Sequence, residues 1–80
     1  MSALFDAVAD VIVTRFGLDR DAITAEATFD DLGLDSLSQI ELVTALRKRL
    51  GADIDDEEMA ELSAVGEVVE ALEAKGLTVA

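Results

Sequence analysis

Asp35-Ser36-Leu37-Ser38-Gln39-Ile40-Glu41-Leu42-Val43-Thr44-Ala45-Leu46-Arg47-Lys48-Arg49-Leu50-Gly51 is the stretch that decides the fold. On a helical wheel turning about 100° per residue, Leu42, Val43, Leu46 and Leu50 share one side, with Ile40 at its edge. Leu37, Glu41, Thr44 and Lys48 take the opposite side. Asp35 is a residue type that caps helix starts, and Gly51 suits the left-handed turn that stops a helix. Arg47, Lys48 and Arg49 lie in the last turns, where the negative end of the helix dipole favours cations. A helix from about Ser36 to Leu50 accounts for all of these choices together.

Working outward, the chain before this helix predicts a second one from Ala3 to Phe16. Leu4, Phe5, Val8, Val11, Ile12 and Phe16 recur at steps of three and four, Ser2 can cap the start, and Gly17 can stop it. The connection from Gly17 to Asp35 is long, but it carries its own anchors. Asp19 can cap a turn through Ala22, Ile23 can pack inward, and Thr28 with Asp31 resembles a capping pair. Phe29, Leu32 and Leu34 pin the connection to the core, and Gly33 permits the reversal into the next helix. Beyond Gly51, acids cluster at a plausible helix start, giving a short helix from Asp55 to about Glu61. A last helix after Ser63 turns Val65, Val68, Val69 and Leu72 inward and ends at Gly76. The expected fold is all-α: a small four-helix bundle with three long helices and one short one.

Eighty residues make a single domain, residues 1–80, with a modest core. With no cysteine there is no disulfide to staple it, and with no histidine there is no His-based metal site; no metal is expected. Asp and Glu number 18 against 6 Lys and Arg. That balance repels nucleic acid and anionic membranes and attracts basic protein partners. A hydrophobic fraction of 51% argues against disorder despite the charge. No apolar run approaches the roughly 20 residues that span a bilayer, and no basic segment precedes an apolar one at the start. The expectation is a soluble cytoplasmic protein, monomeric when free.

Catalysis is not expected. A Ser-His-Asp triad lacks its histidine. Lys48 lies about three helical turns from Ser36, too far for a Ser-Lys dyad, and no Gly-x-Ser-x-Gly turn occurs. Asp53, Asp55 and Glu57 alternate like the start of a calcium loop, but the glycine and glutamate such a loop needs later are Glu58 and Ala64 here.

Ser36 is the residue that stands out. It takes the first helical position after Asp35, where free N–H groups and the dipole stabilise an anion. A serine that becomes a phosphodiester suits that position. Leu37 beside it faces solvent on the wheel.

The stretch Asp31-Leu32-Gly33-Leu34-Asp35-Ser36-Leu37, followed by Ile40-Glu41-Leu42-Val43, resembles the attachment motif of acyl carrier proteins. The resemblance covers the whole chain, including the long first connection, the acidic short helix and Ser63-Ala64-Val65-Gly66-Glu67 at the start of the last helix. It implies a four-helix bundle modified on Ser36 with 4'-phosphopantetheine, which a phosphopantetheinyl transferase moves from coenzyme A. The arm's thiol then holds acyl groups as thioesters for a ketosynthase, an acyltransferase and related synthase enzymes. It also implies docking of partners on Asp35, Leu37 and Glu41. It further implies that Val43, Leu46, Ile54, Met59 and Leu62 border the space in which related proteins shelter acyl chains.

Two features depart from the fatty-acid carriers of that family. The end of the second long helix is basic, Arg47-Lys48-Arg49, where those carriers often stay acidic. The position after Ile54 is Asp55, where many relatives have proline. Arg47 and Lys48 therefore join the expected docking surface. The reading leans toward a discrete carrier of polyketide or other specialised biosynthesis, since the chain reads as a self-contained domain with its own Met1. Primary fatty acid synthesis is the alternative. A peptidyl carrier is more distant, because those usually have two glycines ahead of the serine, whereas this chain reads Gly33-Leu34-Asp35-Ser36.

Overall fold

Ser2 accepts a hydrogen bond from the Phe5 N–H at 3.0 Å, and helix α1 (Ala3–Phe16) starts behind that cap. In the computed structural model, which describes residues 2–79, α1 is followed by a 3-10 turn (Arg20–Ala22) and then by α2 (Ser36–Leu50), α3 (Asp56–Ala60) and α4 (Val65–Ala74). Gly17 and Gly51 adopt the left-handed backbone expected of helix stops, with φ of 67° and 65°. The Asp55 carboxylate accepts from the Glu58 N–H at 2.8 Å and starts α3. Against α1 pack both α2 and α4, and α3 packs against α2. The fold is the all-α, three-long-plus-one-short arrangement that the periodicity predicts. Among the described residues no helix is long and apolar enough to cross a membrane.

The core is apolar throughout the described residues, with no buried polar or charged side chain to desolvate. Val8 and Ile12 of α1, Leu42 and Leu46 of α2, and Val65 and Leu72 of α4 have no exposed surface at all. Ile23, Phe29 and Leu34 bring the long connection into the same cluster. Phe16, Leu32 and Leu50 sit at its margin, partly buried. Ile40 departs from its expected place at the core's edge: it is 45% exposed. Its neighbour across the gap is the five-residue α3, too short to cover that side of α2.

The start of α4 is built differently from its sequence signature. The helix begins at Val65, and its cap position is Ala64, which has no oxygen to offer. Ser63, after which the helix is expected to start, lies one residue before that cap position. The free N–H groups of the first turn are met instead from outside the helix. Val65 donates to the Ala27 carbonyl at 3.0 Å and Gly66 to the Ala25 carbonyl at 2.9 Å. Glu67 reaches back, accepting from the N–H groups of Ser63 at 2.7 Å and Ala64 at 3.3 Å. Phe29 also donates its N–H to the Ser63 carbonyl at 3.0 Å. The long connection is thus sewn by backbone bonds along the entrance of α4. A Cβ at Gly66 would lie 2.7 Å from the Ala25 carbonyl oxygen, so the close approach excludes any side chain there. α4 closes with the Gly76 and Leu77 N–H groups returning to the Glu73 and Leu72 carbonyls.

Candidate functional site

Asp35 caps α2 with one carboxylate oxygen, which accepts from the Ser38 N–H at 2.9 Å. This fixes the direction in which the helix starts, and Ser36 follows as the first helical residue. The Asp35 carbonyl accepts the first intrahelical bond, from the Gln39 N–H, at 2.9 Å. Ser36 and Leu37 precede that bond and belong to the electropositive start of the helix. Asp35, Ser36 and Leu37 are all exposed, and Leu37 is the most exposed large apolar residue described, at 68%. The hydroxyl of Ser36 therefore stands free of the core at a helix end that favours an anion. A covalently attached phosphodiester fits this position without displacing any packed side chain.

The Ser38 N–H, with lesser help from the Ser38 hydroxyl and the Leu37 N–H, holds the Asp35 carboxyl below its ordinary value. A depressed folded-state pKa means stability that is present above the unfolded value and lost as the pH falls through the folded one. Asp35→Ala is accordingly expected to lower the denaturation midpoint at neutral pH. The gap to wild type should close as the pH drops below 3.8, the ordinary value. The same change should slow modification of Ser36, because the cap sets the direction of its helix. Denaturation at two pH values and a modification time course check both effects; no change in either would remove Asp35 from both roles.

Beside Ser36 opens a groove of about 450 Å³ between α2, α3 and the long connection. Phe29, Ile40, Met59 and Leu62 give it apolar walls, and Ser36 and Gln39 stand on the α2 side. Of the residues expected around a sheltering space, Met59 and Leu62 do line this groove. Val43, Leu46 and Ile54 are buried in the core and do not line it. Phe29, buried in the core as expected, also lines this groove, and Ile40, expected at the core's edge, stands exposed on it.

Of the expected docking residues, Asp35 and Leu37 flank Ser36 on open surface. Glu41 does not stand free. Both of its carboxylate oxygens are held by the Arg15 guanidinium of α1, at 3.0 and 3.1 Å. Arg47 and Lys48 are exposed at the far end of α2, with Arg49 beside them.

A small helical bundle that offers an exposed serine at a helix start beside a groove with apolar walls has the form of a carrier. The family model described as the phosphopantetheine attachment site matches residues 6–72, from the first turn of α1 to the last turns of α4. The chain belongs to that family, whose domains carry covalent 4'-phosphopantetheine and serve as carriers, not enzymes. Carriers of this kind work through phosphopantetheinyl transferases and the enzymes of a synthase.

Proposed function

We propose that Ser36 carries the phosphopantetheine arm and that the protein tethers acyl intermediates of polyketide or another specialised synthesis. When bound, the arm supplies the thiol that this cysteine-free chain lacks, and so the means to hold acyl groups as thioesters. The chain's own residues set the rest. Asp35 and the start of α2 position the attachment point and favour its phosphodiester. Ile40 and Leu62 offer apolar surface beside it, backed by the buried Phe29 and Met59. Asp35, Leu37 and Glu41 with Arg47 and Lys48 form the surface along α2 that transferase, acyltransferase and ketosynthase meet, in the cytoplasm.

The observation that favours a specialised pathway is the state of the chain's cations. Arg15 pairs with Glu41, Arg20 with Asp6 at 3.1 Å, and Lys75 with Glu58 at 2.9 Å. Among the described residues Arg47, Lys48 and Arg49 pair with no carboxylate, although acids outnumber cations three to one. A partner surface that is basic throughout meets repulsion at that end of α2. The test is acyl loading and condensation of the arm-bearing protein with enzymes of fatty-acid and of polyketide type, side by side. Faster turnover with the polyketide set is expected. Equal or faster turnover with the fatty-acid set would place the protein in primary fatty acid synthesis.

A further inference from the structure

A second depression, of about 440 Å³, lies on the other flank of α2, between it and α1. Ile40 and Ala45 supply its apolar surface, and Thr44 donates its hydroxyl back to the Ile40 carbonyl at 3.3 Å. Around them stand Arg15, Lys48 and Arg49, against a single carboxylate, Glu41. That carboxylate is taken by Arg15, which also lies over the Phe16 ring, 5.6 Å from its centroid. Lys48 and Arg49 are left exposed and without an ionic partner among the described residues. In a chain of net charge −12, this depression is a positive island with an apolar centre.

From this we infer that the α1–α2 depression is a docking seat for an acidic, apolar-anchored segment of a synthase enzyme: an apolar side chain over Ile40 and Ala45, carboxylates on Lys48 and Arg49. The inference rests on the carrier reading and adds the chemistry of the partner. Charge complementarity selects the occupant. A basic segment meets two unpaired cations here, and the one carboxylate in reach is already engaged. Compensation of the helix dipole accounts for cations at the end of α2, and it treats Arg47, Lys48 and Arg49 alike. The seat does not: Lys48 and Arg49 line it and Arg47 lies outside it. Ile40 also walls the groove beside Ser36, so a segment seated here touches a residue shared with the attachment site.

Two purified condensing enzymes serve as probes, one with an acidic and one with a basic rim around its active-site mouth. Isotope-labelled carrier, with and without the arm, is titrated with each, and amide shifts and dissociation constants are read. Tighter binding to the acidic-rim enzyme is expected, with shifts at Thr44, Ala45 and Lys48. K48E/R49E should weaken that complex by about tenfold at low salt, since exposed ion pairs contribute modestly one by one. The loss should shrink at high ionic strength, and R47E, on the docking surface but outside the seat, should cost less than K48E or R49E alone. A preference for the basic-rim enzyme, or an effect of R47E equal to that of K48E or R49E alone, would overturn the seat. Thermal melts of each variant separate loss of folding from loss of docking. The carrier reading is judged separately, by the mass of the arm added to the same samples. A chain that takes no arm sinks that reading, while the titration of the unmodified chain still decides the seat.

Discussion

Ser36→Ala is expected to abolish modification while leaving the fold intact. Wild-type protein incubated with a phosphopantetheinyl transferase and coenzyme A should gain the mass of one arm; the variant should gain none. The expected effect is total because the variant loses the oxygen through which the proposed attachment runs, and no neighbour replaces it. Ser38, the nearest other serine, lies two residues further along α2, partly buried, with its N–H held by the Asp35 carboxylate. Folding should hardly respond, since Ser36 is exposed and Asp35 caps the helix. The chain has no cysteine, so a thiol assay gives a second readout: silent on unmodified protein, positive after modification, silent again for Ser36→Ala. A full mass gain in Ser36→Ala would move the attachment site to another residue. Hydrolysis of simple esters by pure protein, lost in Ser36→Ala, would instead make Ser36 a nucleophile and the protein an enzyme.

The start of α2 was legible because its determinants are local. Asp35, Ser36 and Gly51 act within one turn of themselves, and the apolar stripe of α2 repeats within one helix. The same holds for Ser2 and Gly17 at the ends of α1. What the sequence hid is what joins distant segments. Arg15 and Glu41 are 26 residues apart, and nothing in either helix announces that they meet. Glu41 therefore reads as a free docking acid until the fold pairs it. Ile40 sits at the wheel's edge, and only the shortness of α3 decides that it stays exposed. The start of α4 misleads in the same way. Ser63 has the right side chain for a cap, yet carbonyls from residues 25 and 27 do much of that work. Gly66 was the one trace of this contact in the sequence, a glycine inside a helix start where close approach forbids a side chain.

Phe29→Ala is expected to produce the largest loss of stability of any single change in the long connection. Phe29 is 2% exposed and is the largest of the fully buried side chains. Truncation of a buried phenylalanine costs about 3–5 kcal/mol, the sum of lost transfer energy and the cavity left behind. Small domains sit near the low end of the ordinary range of about 5–15 kcal/mol. The change thus removes most of the margin, a fall in midpoint temperature of roughly 15–30 °C. Backbone geometry argues that the loss spreads. Phe29 donates its N–H to the Ser63 carbonyl and accepts the Leu34 N–H at 2.8 Å, so it joins the approach to α2 and the entrance of α4. Once its ring is gone, the carbonyls of Ala25 and Ala27 lose the anchor that holds them over the first turn of α4. Phe29→Leu keeps most of the apolar volume and should cost less than about 1.5 kcal/mol. Thermal and denaturant unfolding of the two variants make the comparison. Because Phe29 also walls the groove beside Ser36, Phe29→Ala should slow Ser36 modification even at temperatures where it stays folded. A Phe29→Ala midpoint close to that of wild type would mean that the connection is draped over the bundle rather than built into it. The groove would then owe its shape to α2 and α3 alone.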